Sequence, residues 1–198
     1  IVDNNNHNNP YDVAEVVAGT YQFDSLTLNK KGHLKFKSSS SVDIGASSVT
    51  GYGTDSELTV LGTATFTSSY TIDGWIWSID NGTTVSGLNA LTITSDGGVT
   101  HTENGSSETH KINLTLTGGL TINNGGKISV VGKGYAPGYG GNGGSTGRSG
   151  GSYGGNGGDY SGASGGTYGN FKQPTNIGGG GKTGSPYGGG AIKIDASG

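Results

Sequence analysis

The chain has 198 residues, of which 43 are glycine, and a formal net charge of −3. This length predicts one domain, or one domain with a small appendage. The small charge, without any cluster of Lys or Arg, argues against nucleic-acid binding. The absence of cysteine excludes disulfides and thiolate metal sites, and no apolar run approaches the roughly 20 residues of a membrane span.

The amino-terminal segment is polar and allows two interpretations. Pro10–Val17 follows a plausible helix cap, but its "VAEVVAG" fits a strand equally well. The preceding "VDNNNHNN" could offer oxygen ligands to calcium, although a plain polar segment is the more common explanation. We therefore expect no cofactor and no metal site, with calcium as the one candidate.

The chain contains no methionine, so its first residue is not an initiator. Cleavage from a precursor explains this, and a removed signal peptide is the simplest form of such cleavage. We therefore expect an extracellular or cell-surface protein.

Most of the remaining sequence up to residue 131 alternates with period two and is rich in Thr, Val, Ile and Tyr, which is typical of strands. The predicted strands are Tyr21–Leu28, His33–Lys37, Ser41–Ile44, Glu57–Phe66, Thr71–Trp77, Ala90–Thr94, Lys111–Leu116, Leu120–Ile122 and Lys127–Val131. Turn signals such as "NKKG", "DNG" and "NNGG" separate them.

A Leu-Thr-aliphatic tripeptide recurs at Leu26, Leu58, Leu91 and Leu120, with spacings of 32, 33 and 29 residues. In a parallel β-solenoid each coil sends the same short strand to the same sheet, so a repeat of this kind is expected. The sequence therefore predicts an all-β fold, a parallel β-solenoid of the right-handed β-helix type. A β-sandwich is the alternative, because any Thr-rich β-protein contains several such tripeptides.

The segment "TIDGWIW" is the candidate binding surface. If Thr71–Trp77 is one strand, its isoleucines face one way, while Asp73, Trp75 and Trp77 face the other. Inward isoleucines would leave two tryptophans side by side on the outer face, as a platform for sugar rings or an anchor for another subunit. The alternative is that the chain's own loops cover both tryptophans.

Three Asn-x-Ser/Thr sequons, at Asn81, Asn104 and Asn113, are candidate glycosylation sites. The segment between His101 and His110 contains two glutamates, and a hairpin there could bring these groups together around a metal ion. A polar exposed hairpin is the more frequent arrangement, and we expect that one.

Residues 132–190 form a tract that contains 26 of the 43 glycines and six of the ten tyrosines. The strand-like "AIKIDA" follows it, so the tract is predicted to leave the sheet and return to it. Flexible linkers share this composition, but we expect an ordered mat in which bare backbones pack closely. The predicted organisation is therefore a strand-rich region at 1–131, a Gly/Tyr-rich excursion packed on the domain at 132–190, and a returning strand at 191–198.

The stretch "GTYQFDSLTLNKKGHLKF" resembles the opening coil of large secreted β-helix proteins of bacteria and archaea. The stretches "GGLTINNGGKISVVGKGYAPGYGG" and "GGGAIKIDASG" resemble the later coils of such glycine-rich surface proteins. The resemblance covers about two thirds of the chain and is compositional. It implies architecture and location, of the adhesin or surface-filament type, and carries no catalytic residue.

These observations predict a non-catalytic extracellular structural protein, a subunit or domain of a cell-surface filament, layer or adhesin. Exposed strand edges at the two ends of a solenoid invite pairing with identical subunits, through Ile1 and Val2 or through Ile192 and Ile194. Cell-surface glycans are a further candidate partner. The alternative function is a carbohydrate-binding module, or a fragment of a polysaccharide-active β-helix enzyme.

Overall fold

The computed structural model describes residues 1–3, 13–45, 48–52, 55–182 and 187–197. Within these ranges the regular secondary structure is β-strand, and no helix is present that is long and apolar enough to cross a membrane. The helix considered for Pro10–Val17 is not formed where the structure describes it, because Val13–Val16 is a strand. Positions 10–12 lie outside the described residues.

The strands are short, mostly of three to five residues. In chain order they are β1 (Val2–Asp3), β2 (Val13–Val16), β3 (Thr20–Gln22), β4 (Ser25–Asn29), β5 (His33–Phe36), β6 (Ser41–Asp43), β7 (Ser48–Tyr52), β8 (Glu57–Val60), β9 (Thr63–Thr65), β10 (Tyr70–Ile72), β11 (Ile76–Ile79), β12 (Thr84–Ser86), β13 (Leu91–Ile93), β14 (Gly98–Thr100), β15 (Ile112–Leu116), β16 (Leu120–Ile122), β17 (Lys127–Ile128) and β18 (Ile192–Ala196).

The strands stack in parallel as a β-solenoid of about four turns. Each turn visits three faces in a fixed order. Face 1 consists of two three-stranded sheets, β1-β4-β7 and β10-β13-β16. Face 2 is one six-stranded sheet, β17-β14-β11-β8-β5-β2, and face 3 is a four-stranded sheet, β12-β9-β6-β3. β15 and β18 pair as a separate two-stranded sheet. The parallel ladders of the three faces confirm the predicted solenoid and exclude the sandwich alternative.

The length of one turn differs from the spacing of the Leu-Thr repeat. Along face 2 the register partners are Val13, His33, Glu57, Ile76 and Gly98, so these turns take between 19 and 24 residues. The predicted equivalence of Leu26 and Leu58 is wrong, because Leu26 aligns with Val49 on face 1 and Leu58 with Leu34 on face 2. Only the last pair, Leu91 with Leu120, occupies the same position in successive turns.

The core of the solenoid is built from columns of apolar side chains in register. On face 2, Leu34, Leu58, Trp77 and Val99 follow one another on successive strands, and each is buried. A parallel column of Phe36, Val60 and Ile79 lies beside it. Burying each such side chain stabilises the fold by about 1.5–3 kcal/mol. Because every turn buries several of them, a thin core can hold the solenoid together.

The predicted outward platform of Trp75 and Trp77 is wrong, since both side chains are 0% exposed. Thr71–Trp77 is not one strand: β10 ends at Ile72, β11 begins at Ile76, and Gly74 lies between them with φ +72°. This left-handed residue turns the chain from face 1 to face 2 and resets the alternation. Ile72, Trp75 and Trp77 therefore all point inward.

The chain divides into two compact units. The first comprises Ile1–Thr100, Leu114–Ser129 and Ile194–Gly198, and the second His101–Asn113 and Val130–Lys193. Residues 101–113, predicted as part of the strand-rich region, thus share a unit with the glycine tract of residues 132–190.

Backbone hydrogen bonds join the glycine-rich segments of the second unit, which have few side chains. The amide of Tyr135 donates to Gly178 O (2.9 Å), and that of Gly178 donates to Gly189 O (2.7 Å). Buried serines add bonds of their own, such as Ser145 Oγ to Gly150 O at 2.7 Å. Among the described residues, these segments of the tract are joined by hydrogen bonds between closely packed backbones.

Candidate functional site

The last strands of faces 1 and 2 each have a neighbour on one side only among the described strands. β16 pairs with β13, and β17 with β14. The amide of Asn123 donates to Ile93 O (2.9 Å) and that of Ser129 to Val99 O (3.0 Å). Because N–H groups alternate in direction along a parallel strand, the amides of Ile122 and Ile128 point to the outer edge.

This edge is suited to pairing with a further strand. The Ile122 side chain is 47% exposed. The N–H and C=O groups that point outward form a row with which another strand can pair. The sequence pattern did not single out Ile122 or Ile128. A signal was present, however, since Ile122 directly precedes "NNGG", the last turn signal before the glycine tract, and Ile128 follows it.

The four residues predicted for assembly lie on terminal strands or next to them. Ile1 is 91% exposed, and Val2 lies on β1, which among the described strands pairs with β4 alone. Ile192 (39% exposed) and the half-buried Ile194 lie on β18, whose one partner in the described part of the chain is β15. β1 and β2 occupy faces 1 and 2 in the same order as β16 and β17.

The three sequons differ sharply in accessibility. Asn81, in the turn after β11, and Asn113, on β15, have exposed side chains. Asn104 is 1% exposed, and its side-chain amide donates to His110 O and Lys133 O while accepting from the amides of Thr109 and His110, each at 2.8 Å. The prediction of glycosylation at Asn104 is therefore wrong for the folded chain, because this side chain organises the surrounding loop.

Asp73 is exposed at the corner beside Gly74, where it accepts a hydrogen bond from the hydroxyl of Thr94. It does not form a surface with Trp75 and Trp77, which point into the core. The residues predicted for glycan binding are thus not brought together on the outside of the protein.

A cluster of polar side chains in the second unit centres on Glu108, and we call it the Glu108 cluster: Glu108, Lys111 and Asn176. Lys111 Nζ lies 2.9 Å from Glu108 Oε1, and Asn176 Nδ2 lies 3.1 Å from Glu108 Oε2. The amide of Ile177 donates to the same Oε2 at 3.2 Å. One carboxylate therefore holds an ammonium group and a carboxamide together.

Apolar and aromatic groups of the same unit border this cluster. Tyr135, Ile177 and Ala191 form a small buried core against which Tyr168 packs, and the hydroxyl of Tyr168 donates to Ile177 O at 2.6 Å. Burial, together with the charge of Glu108, raises the pKa of Tyr135. Burial tends to raise the pKa of Glu108 too, but the hydrogen bonds from Lys111, Asn176 and Ile177 outweigh it and leave that pKa below 4.5.

The sequence does not predict this cluster. Its pattern marks Glu108 only as a possible metal ligand, and Asn176 lies 68 residues further along the chain, inside a tract whose path no local pattern predicts.

No group of three or more His, Asp or Glu side chains that could hold a metal ion occurs among the described residues. Residues 4–9 of the calcium candidate "VDNNNHNN" lie outside them. His101 is buried, with Nδ1 2.7 Å from Thr102 O, whereas Glu103 is exposed. The metal hairpin considered between His101 and His110 is therefore not assembled.

Comparison of the chain with protein-family models, with curated proteins and with solved structures finds no significant match. The fold is that of a parallel β-solenoid.

Proposed function

We propose that this protein is a non-catalytic, extracellular structural protein, a subunit or domain of a cell-surface filament, layer or adhesin, and that identical copies assemble by strand addition. The observation that carries the proposal is the outward edge of β16 and β17, with the amides of Ile122 and Ile128 directed away from the solenoid.

The order of the faces supports a head-to-tail arrangement. The first turn begins on face 1 with β1 and continues on face 2 with β2, and β16 and β17 end the same two faces. A copy that places β1 beside β16 and β2 beside β17 would continue both sheets with parallel ladders. Such an interface joins different surfaces of the two copies, so it generates an open filament rather than a closed dimer.

The carbohydrate-binding alternative has lost the residues that carried it, because Trp75 and Trp77 are buried. We therefore put forward the assembly function alone.

Sedimentation velocity over a range of concentrations tests the proposal. We expect the parent chain to form larger species as concentration rises. Ile122→Pro with Ile128→Pro should abolish them, because proline removes the outward amide and leaves the inward ladder bonds in place. The matched control, Ile122→Thr with Ile128→Thr, keeps both amides and should still assemble.

Two results would count against strand addition at this edge. One is a parent chain that remains monomeric at every concentration. The other is a double proline variant that keeps its fold and assembles as well as the parent.

A further inference from the structure

The geometry of the Glu108 cluster points to a covalent modification: we infer that Lys111 and Asn176 form an intramolecular isopeptide bond, with Glu108 as the proton carrier. The two reacting groups are an amine and a carboxamide, and both are bonded to one carboxylate, at 2.9 Å and 3.1 Å. The inference concerns the second unit only and does not rest on the assembly proposal.

A second contact holds the amine against the backbone next to Asn176. Lys111 Nζ also lies 3.4 Å from the carbonyl oxygen of Thr175, the residue immediately before Asn176. The amine is thus held against the segment that carries the carboxamide. Holding two reactants together in this way replaces a collision in solution and removes much of the barrier.

The carboxylate and the ammonium group of the pair are only partly exposed to solvent. The side chains of Glu108 and Lys111 are only 17% and 30% exposed, and fully buried Ile177 adjoins them. Glu108 Oε1, 2.9 Å from Lys111 Nζ, is the acceptor for the proton that the ammonium group must lose before it reacts. The amine that results carries the lone pair needed for nucleophilic attack.

The bond changes balance without any further reactant. Glu108 Oε1 takes one proton from the Lys111 ammonium group, and the neutral Nζ attacks Cγ of Asn176. Glu108 then returns a proton to Nδ2 as the Cγ–Nδ2 bond breaks, and the second proton lost by Nζ goes to the departing ammonia. The products are a secondary amide between the two side chains, the original carboxylate and one ammonium ion.

A cavity beside the cluster provides an exit for the ammonia. Its volume is about 130 Å³, and Lys111, Thr175 and Ala191 are among its lining residues. A water molecule occupies roughly 30 Å³ of liquid, and ammonia is of similar size. The leaving group therefore has room to depart.

Intact-mass measurement of the folded chain, followed by tandem mass spectrometry of its peptides, tests the inference. We expect the mass to be lower than the sequence mass by one ammonia, and a branched peptide joining Lys111 to Asn176. Glu108→Gln, Lys111→Arg and Asn176→Ala should each restore the full mass of their sequences. Lys193→Arg, which changes another lysine at the same cavity, should remain cross-linked.

Melting curves would accompany each variant, so that a loss of the bond is read only on folded protein. Glu108→Gln is the variant closest in shape to the parent, and it removes the carboxylate that carries the proton. A folded parent chain that keeps its full mass after prolonged incubation at neutral pH would overturn the inference. So would a loss of ammonia located on a single asparagine, as a cyclic imide, instead of on a branched peptide.

Discussion

At the scale of single residues, many glycines of the second unit are fixed by the close approach of another backbone. A Cβ built on Gly151 would lie 2.1 Å from Gly179 O, and one on Gly188 would lie 2.0 Å from Gly178 O. Real Cβ atoms do not come this close, so the backbone would have to move. Gly155, Gly158 and Gly189, in contrast, have nothing within 4 Å of the equivalent position.

This difference gives a matched pair of variants. Alanine at Gly151, Gly180 and Gly188 should destabilise the protein by about 1–3 kcal/mol per site, as overpacking does. Alanine at Gly155, Gly158 and Gly189 should be neutral or stabilising by about 0.4–1 kcal/mol per site, because it restricts the unfolded chain. Thermal melting compares the two triple variants. Equal melting temperatures would mean that the tract is a passive linker.

Two tyrosines connect stability to alkaline pH. Burial raises the pKa of Tyr70 and of Tyr168 from 10.0 to about 12. The folded state thus disfavours the ionised phenol, so this stabilisation is complete below pH 10 and is lost as pH rises from 10 through 12. We expect the parent melting temperature to fall more steeply across this window than that of Tyr70→Phe with Tyr168→Phe.

Absorbance of tyrosinate in the folded chain provides the direct check. Two phenols of the parent should titrate near pH 12, and the double phenylalanine variant should lack this late phase. If all parent phenols titrate near pH 10, the burial argument fails for both residues.

At the scale of strands, the corner at Gly74 decides where the tryptophans point. An added Cβ there would lie 2.4 Å from Gly51 O, and the residue has φ +72°. The close backbone contact and the left-handed conformation both favour glycine at this position. The corner brings Trp75 within 6.4 Å of the ring of Tyr70, and it leaves Trp77 5.2 Å from that of Phe66. The aromatic rings thus fill the interior where faces 1 and 2 meet.

Truncation of a buried tryptophan should therefore be costly. We expect Trp77→Ala to lower the free energy of unfolding by about 3–5 kcal/mol, as for other large core side chains. Thr71→Ala, at an exposed position on neighbouring β10, should change it by less than about 0.5 kcal/mol. Urea unfolding measures both. If Trp77→Ala is as stable as the parent, the claim that the Trp77 side chain belongs to the core is contradicted.

The sequence predicts features that depend on neighbouring residues better than features that depend on residues far apart in the chain. Period-two alternation predicts the strands. The Leu-Thr repeat predicts the solenoid, although only its last pair, Leu91 and Leu120, is in register. The corners are not predicted: Glu57–Phe66 and Thr71–Trp77 each divide into two strands. A bend of two or three residues inside such a segment leaves little trace in the alternation. The meeting of Glu108 with Asn176 depends on the folded path of the glycine tract, which no local pattern encodes.

At the scale of the whole molecule, the proposed assembly makes the edge of β16 and β17 the functional feature. A strand edge of this kind is normally protected, since it can recruit other chains. Along β16 the outward amides alternate with amides that donate to β13. One side of β16 is therefore hydrogen-bonded to β13, and the other side can pair with an added strand.

Hydrogen–deuterium exchange of single amides, compared at low and high protein concentration, tests strand addition most directly. The amides of Thr121 and Asn123, which face β13, should be protected at both concentrations. Those of Ile122 and Ile128 should exchange rapidly in the dilute chain and become protected as copies add their strands. If the protein assembles while Ile122 and Ile128 continue to exchange rapidly, the copies join elsewhere and strand addition at this edge is contradicted.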